Sequence, residues 1–251
     1  MEDHRAFEIF MAIHTGNPRE APGSTTTTKR AFELCQGLPT LPRVLDIGCG
    51  PGTQTLELAE LCAGTFVAVD LHQPYLDRLN DEARRRGVDD RIATRRMDMR
   101  QLDFAPDSFD LIWSEGAIYN IGFRAGLEAW RPLLVQGGCM AVSEATWLTD
   151  DPPADARAFW DAGYPAMQGI DGNLRVIGET GFTSLGHFGL PASCWLDYYA
   201  HLESRMTALE SELAGDTEAL AVMDAERREI ELYREFGDAY GYVFYVMRKA
   251  G

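Results

Sequence analysis

Asp46-Ile47-Gly48-Cys49-Gly50-Pro51-Gly52-Thr53, with Asp70 further on, is the part of this 251-residue chain whose residue types and spacing can do chemistry. The apolar run Val44-Leu45-Asp46-Ile47 stops at the glycine cluster, and a helical pattern carrying Leu56, Ala59 and Leu61 follows. A glycine turn after a first strand lets the backbone approach a ligand and aims a helix N-terminus at it. An acidic residue about twenty positions on, at the tip of the second strand, can accept hydrogen bonds from both ribose hydroxyls. Together these features specify an adenosine-containing ligand.

Two details narrow the choice. Glycine recurs as GxGxG, so Thr53 stands where a dinucleotide fingerprint needs its third glycine, which counts against NAD. Asp46 would repel a pyrophosphate at the strand-to-turn junction. The ammonium and sulfonium of S-adenosyl-L-methionine would be attracted to it, directly or through water.

The elements that must position these groups alternate along the chain. Thr65 to Asp70 is a second strand. Pro74 opens a helix with Leu76, Leu79 and Ala83 on one side, and Gly87 ends it. Arg91 to Arg96, Phe109 to Trp113 and Cys139 to Ser143 are further strands, with a helix near 124–133. Short apolar runs separated by helix-length stretches predict βαβ units, and hence a doubly wound α/β fold with a mostly parallel sheet. Phe182 to Phe188 adds a sixth strand and Tyr242 to Met247 lies in a seventh. Between these two, Tyr199, Leu202, Met206, Leu209 and Leu213 trace an amphipathic helix, and Asp216 caps a second. Residues 1–30 form a turn-rich leader with a short apolar helix at Phe7 to Ile13. The expected organisation is one domain, with a core of 40–145, 170–190 and 239–248 and lid or cap elements at 1–30, 146–169 and 192–238.

Val44 to Gly52 resembles the cofactor motif of the class I S-adenosylmethionine-dependent methyltransferases, and four further blocks match in order. They are Val69-Asp70, Met97-Asp98-Met99, Asp107 to Ile112 leading into Trp113-Ser114-Glu115, and Leu133 to Gly138 before the fifth strand. The resemblance covers about residues 40–145. It implies a seven-stranded Rossmann-like sheet and S-adenosyl-L-methionine as cofactor, with S-adenosyl-L-homocysteine as product. It also implies that Asp46, Gly48 and Gly50, with Thr53 and Gln54 at the helix start, border the methionine moiety. Asp70 would meet the ribose, Asp98 and Met99 the adenine, and Ser114 and Glu115 the region beneath the sulfonium, with Leu71 a further cofactor-binding candidate. A turn-capping role is the other reading of Asp98.

Candidate catalytic residues lie outside the glycine motif. Glu115 follows the fourth strand and could hold an amine or take a proton, and Tyr119 could orient a nucleophile. Each could equally be a supporting partner. His14, at the end of the leader helix, has the ordinary pKa of a general base near neutrality, or is simply a helix-end histidine. The Asn/Asp-Pro-Pro-Tyr/Phe signature of nucleic-acid and protein amine methylation is absent after strand four.

The chain carries 39 acidic and 23 basic side chains, a net charge of −16, which disfavours a nucleic-acid partner. No run of about 18 apolar residues exists, so a membrane span is not expected. Cys35, Cys49, Cys62, Cys139 and Cys194 form no CxxC pair, and no metal site is expected. The chain shows no secretory leader, and a cytoplasmic location fits. The resulting expectation is methyl transfer to O, N or C of a small-molecule substrate. A non-catalytic cofactor-binding partner subunit is one alternative, and an NAD-dependent oxidoreductase is another. The helices at 196–236 suit a homodimer interface as well as a lid.

Overall fold

A computed structural model of the chain describes residues 2–251, with side chains from Arg5 onward. The first half alternates as the periodicity predicts. α1 (Glu2–His14) and α2 (Thr25–Leu34) precede β1 (Arg43–Ile47), α3 (Thr53–Leu61), β2 (Thr65–Asp70), α4 (Gln73–Arg86), β3 (Ile92–Arg96) and β4 (Phe109–Ser114). Then come α5 (Phe123–Trp130), β5 (Leu134–Trp147), α6 (Ala154–Gly163), β6 (Gln168–Gly169), α7 (Ile170–Glu179) and β7 (Phe182–Gly189). The chain closes with α8 (Ala192–Leu209), α9 (Thr217–Phe236) and β8 (Tyr240–Lys249).

The sheet runs β3-β2-β1-β4-β5-β8-β7, parallel as far as β5, with β8 antiparallel to both of its neighbours. Side chains alternate across it. Val44 on β1 and Leu111 and Trp113 on β4 pack with Leu56, Leu76 and Leu79 of the helices on one face. Leu45, Ile47, Ile112 and Met140 pack with Phe123, Leu127 and Val176 on the other. Asp46 therefore points into the α3 face, where nothing but its pairing can offset its burial.

Two features extend the sequence expectation. β5 starts at Leu134 and runs 14 residues, because β8 pairs with it as far as Trp147 opposite Tyr240. Its projecting end is also joined by β6, so the sheet has eight strands where seven were expected. Helices α1, α8 and α9 pack together over that end of the sheet around Ile13, Trp195, Tyr199 and Tyr233. Asp216 caps α9 as predicted, its Oδ1 accepting from the backbone N–H of Glu218 and Ala219 at 3.1 Å.

Candidate active site

The strand order reverses between β1 and β4, and the crevice beyond their C-terminal ends is where such sheets bind ligands. A cavity of about 980 Å³ opens there, at the large end of the roughly 300–1,000 Å³ range of small-molecule sites.

Its cofactor end is built by the turn after β1. Gly48 has φ +71° and closely faces β4's extension: a Cβ there would lie 2.5 Å from Ala117 Cβ. Gly52 does different work. With φ +84°, it makes room for Leu79 of α4, whose Cδ1 would lie 2.4 Å from an added Cβ. Asp70, at the tip of β2, is held by two backbone donors. Gly50 N–H donates to Oδ2 at 2.9 Å and His72 N–H to Oδ1 at 2.8 Å. Gln54 is buried and donates through Nε2 to the Cys49 carbonyl at 2.9 Å.

Asp46 is fully buried. Thr55 Oγ1 donates to its Oδ2 at 2.5 Å, while Oδ1 has no partner. Burial raises its carboxyl to about 7, opposed by the Thr55 hydrogen bond and reinforced by Glu115 and Asp70. An orphaned buried carboxylate oxygen behind a glycine turn, with no room at Gly48 for a side chain, suits a ligand that combines a ribose with a positive charge.

A strap from Asn17 to Pro22 crosses the turn. Arg78 Nη1 donates to the Asn17 carbonyl at 2.6 Å, and Thr53 Oγ1 donates to that of Pro18. Arg19 bridges Glu57 and Glu115, both nearly buried. Glu115 Oε1 accepts from Thr28 Oγ1 at 2.8 Å and Trp113 Nε1 at 2.9 Å, and Oε2 faces Arg19 Nη1 at 3.1 Å. Burial raises the Glu115 carboxyl, and Arg19 and these donors work against that rise.

The cap end is aromatic and acidic. Tyr119, Tyr164 and Tyr198 line it with Glu226 and Glu229 of α9. His14 is buried, with Nδ1 3.2 Å from Glu20 Oε2 and Nε2 3.7 Å from Glu226 Oε2. Burial alone would lower its pKa, but the bonded Glu20 carboxylate and the nearby Glu226 carboxylate prevail and raise it to about 9.

Among the sequence candidates, Gly48, Gly50, Gln54, Asp70, Leu71 and Met99 line the cavity, and so do Glu115, Tyr119 and His14. Four others do not. Ser114 is buried, its hydroxyl donating to the Ile47 carbonyl at 2.8 Å, so it ties β4 to β1 and cannot reach a ligand. Thr53 secures the strap. Asp98 Oδ1 accepts from Arg100 N–H at 2.9 Å and caps its own turn. Asp46 lies behind the turn, off the cavity wall. The expectation of His14 as a neutral base also needs correction, because two flanking carboxylates keep it a cation at neutral pH. Ser24 caps α2. The strap residues Arg19 and Glu20 were missed, since nothing local marks them. Glu226 and Glu229 carried a signal: three residues apart in a helix, they share a face.

An α/β sheet with its cavity at the switch point, a glycine turn after the first strand and a carboxylate at the tip of the second is the arrangement of Rossmann-like nucleotide-binding folds. Residues 44–138 match the family described as a methyltransferase domain. The 27-O-demethylrifamycin SV methyltransferase of Amycolatopsis mediterranei (strain S699) is 25% identical over 255 residues, covering 89% of this chain and 84% of that protein. An S-adenosylmethionine-dependent methyltransferase of Geobacter sulfurreducens, solved with S-adenosyl-L-homocysteine, shares the fold with a TM-score of 0.82 at 20% identity, over 96% of this chain and 97% of that one. The [4+2]-cyclase SpnF shares it too, with a TM-score of 0.74 at 17% identity, over 98% and 92%. The chain spans 37% and 29% of the lengths of two further curated relatives. The match over residues 44–138 and the rifamycin relative agree on a methyltransferase domain that uses S-adenosyl-L-methionine, and the solved structures agree on its fold. The oxidoreductase alternative falls with that assignment.

Proposed function

We propose that this chain transfers a methyl group from S-adenosyl-L-methionine to O, N or C of a small molecule enclosed beneath the helical cap. The supporting observation is continuity: one cavity runs from Gly48 and Asp70 to Tyr198 and Glu229. When bound, the cofactor supplies an electrophilic methyl group on a positively charged sulfur. The chain's own groups then have two tasks, alignment and exclusion of water. Gly48 and Gly50 admit the methionine part, Asp46 contributes negative charge behind it, Asp70 takes the ribose, and Leu71 and Met99 flank the base. Alignment of this kind is worth about 7–11 kcal/mol where it is good. Tyr119, at the cap end, orients the acceptor. Glu115 acts as the anchor of the strap, since both of its oxygens already hold donors. Helices α8 and α9 serve as the lid, closing the cavity against α1.

A second reading, cofactor binding without methyl transfer, is favoured by one observation. Neither His14, a cation, nor Glu115, fully engaged, is free to act as a base. Calorimetric titration with S-adenosyl-L-methionine, S-adenosyl-L-homocysteine and NAD tests the cofactor. Transfer of labelled methyl from the cofactor into a metabolite extract then separates the readings. Tight binding of both sulfur ligands with no label transferred would favour the second. No helix among the described residues is long and apolar enough to cross a membrane. The five thiols are all unpaired, in keeping with a reducing cytoplasm.

A further inference from the structure

We propose that the acceptor carries a positively charged nitrogen, an ammonium or quaternary ammonium group, recognised between Glu226, Glu229 and the tyrosine rings of the cap. This rests on the methyltransferase reading of the cavity and names its substrate class.

The charge pattern carries the argument. Three carboxylates, Glu20, Glu226 and Glu229, face the cap end of the cavity. The cation set among them is His14, bonded to Glu20 and 3.7 Å from Glu226. Glu229 accepts only the Tyr199 hydroxyl at 3.0 Å and has no ion pair among the described residues. The cavity's other cations are engaged or peripheral. Arg19 bridges Glu57 and Glu115, Arg100 donates to the Asn120 carbonyl and lies 3.6 Å from Asp98, and Arg228 is exposed on α9. An anionic acceptor would meet no free cluster of basic groups, and burial raises the unpaired Glu229 carboxyl to about 7, so a cation beside it would favour its charged form.

The walls agree with the charges. Tyr119, Tyr198 and Tyr242 present rings to this space, and burial holds their hydroxyls neutral by raising them, helped next by Glu229 for Tyr119 and Tyr198 and by Tyr119 and then Glu229 for Tyr242. Neutral aromatic faces beside carboxylates, one of them without an ion pair, are the surroundings a desolvated organic cation prefers.

The probes are choline, its uncharged carbon isostere 3,3-dimethylbutan-1-ol, and 3,3-dimethylbutanoate, each titrated calorimetrically into protein saturated with S-adenosyl-L-homocysteine. Choline is expected to bind at least tenfold more tightly than the alcohol, and the carboxylate not at all. Glu229→Gln, which can still accept from Tyr199, is expected to abolish the preference, whereas Glu203→Gln on the outer surface is expected to keep it. Equal affinities, tighter binding of the alcohol or carboxylate, or no binding of choline at millimolar concentration would overturn the proposal. Failure of S-adenosyl-L-homocysteine to bind in the first step would overturn the methyltransferase reading instead.

Discussion

Arg19 Nη1 lies 3.1 Å from Glu115 Oε2, an ion pair that joins residues 96 positions apart and fastens the strap to the end of β4. Both side chains are nearly buried, at 11% and 5% exposure, so solvent screens the pair little. Removing the cation leaves Glu115 and Glu57 without their counter-charge. Arg19→Ala is expected to cost about 3–5 kcal/mol in chemical denaturation, as for other broken buried pairs. An effect below about 1 kcal/mol would mean that the strap is not fastened there.

Gly48→Ala tests the cradle. The added Cβ would meet Ala117 at 2.5 Å, in a backbone conformation that L residues disfavour. S-adenosyl-L-homocysteine affinity should fall by at least a hundredfold in calorimetry. Gly189→Ala, whose Cβ meets nothing within 4 Å, should leave it unchanged and controls for general effects.

Asp70→Ala removes the acceptor proposed for the ribose and strands the Gly50 and His72 N–H groups. Hydrogen bonds to a charged group are worth about 1.5–3 kcal/mol, so adenosine and S-adenosyl-L-homocysteine should both bind roughly 10- to 150-fold more weakly. Unchanged adenosine affinity would place the ribose elsewhere.

His14 gives the protein a pH dependence of definite sign. Its folded pKa, about 9, exceeds the unfolded value of 6.5, so its contribution is complete below pH 6.5 and disappears as pH rises through 9. The shift amounts to something on the order of 3 kcal/mol. The melting temperature of the wild type should decline between pH 7 and 9.5 relative to His14→Gln. Parallel curves for the two proteins would remove the argument.

Much of the core was legible because its signals are local. Val44 to Ile47 are buried and Phe66 to Val69 buried or half-buried, so their apolar runs declare them strands of a covered sheet, and the glycine turn after the first has a spacing that few ligands satisfy. Leu202, Met206 and Leu209 showed their helix by period alone. β6 was invisible: two residues, Gln168 and Gly169, become a strand only because β5 projects far enough to pair with them. Ser114 and Asp98 illustrate a subtler limit. Their positions in the chain matched a ligand-binding pattern, yet the nearest partners in space, the Ile47 carbonyl and the Arg100 amide, had already engaged them.

The chain's order of residues thus decided the sheet, the glycine cradle, the ribose carboxylate and the cofactor class, because each is written within a few adjacent positions or one strand–turn–helix unit. Folding decided the character of the charged groups. Whether His14 is a base or a cation depends on Glu226, 212 residues away and 3.7 Å distant, and whether Glu115 is free depends on Arg19 and Thr28. Electrostatic energy depends on separation in space and on burial, and neither quantity has a counterpart in spacing along the chain.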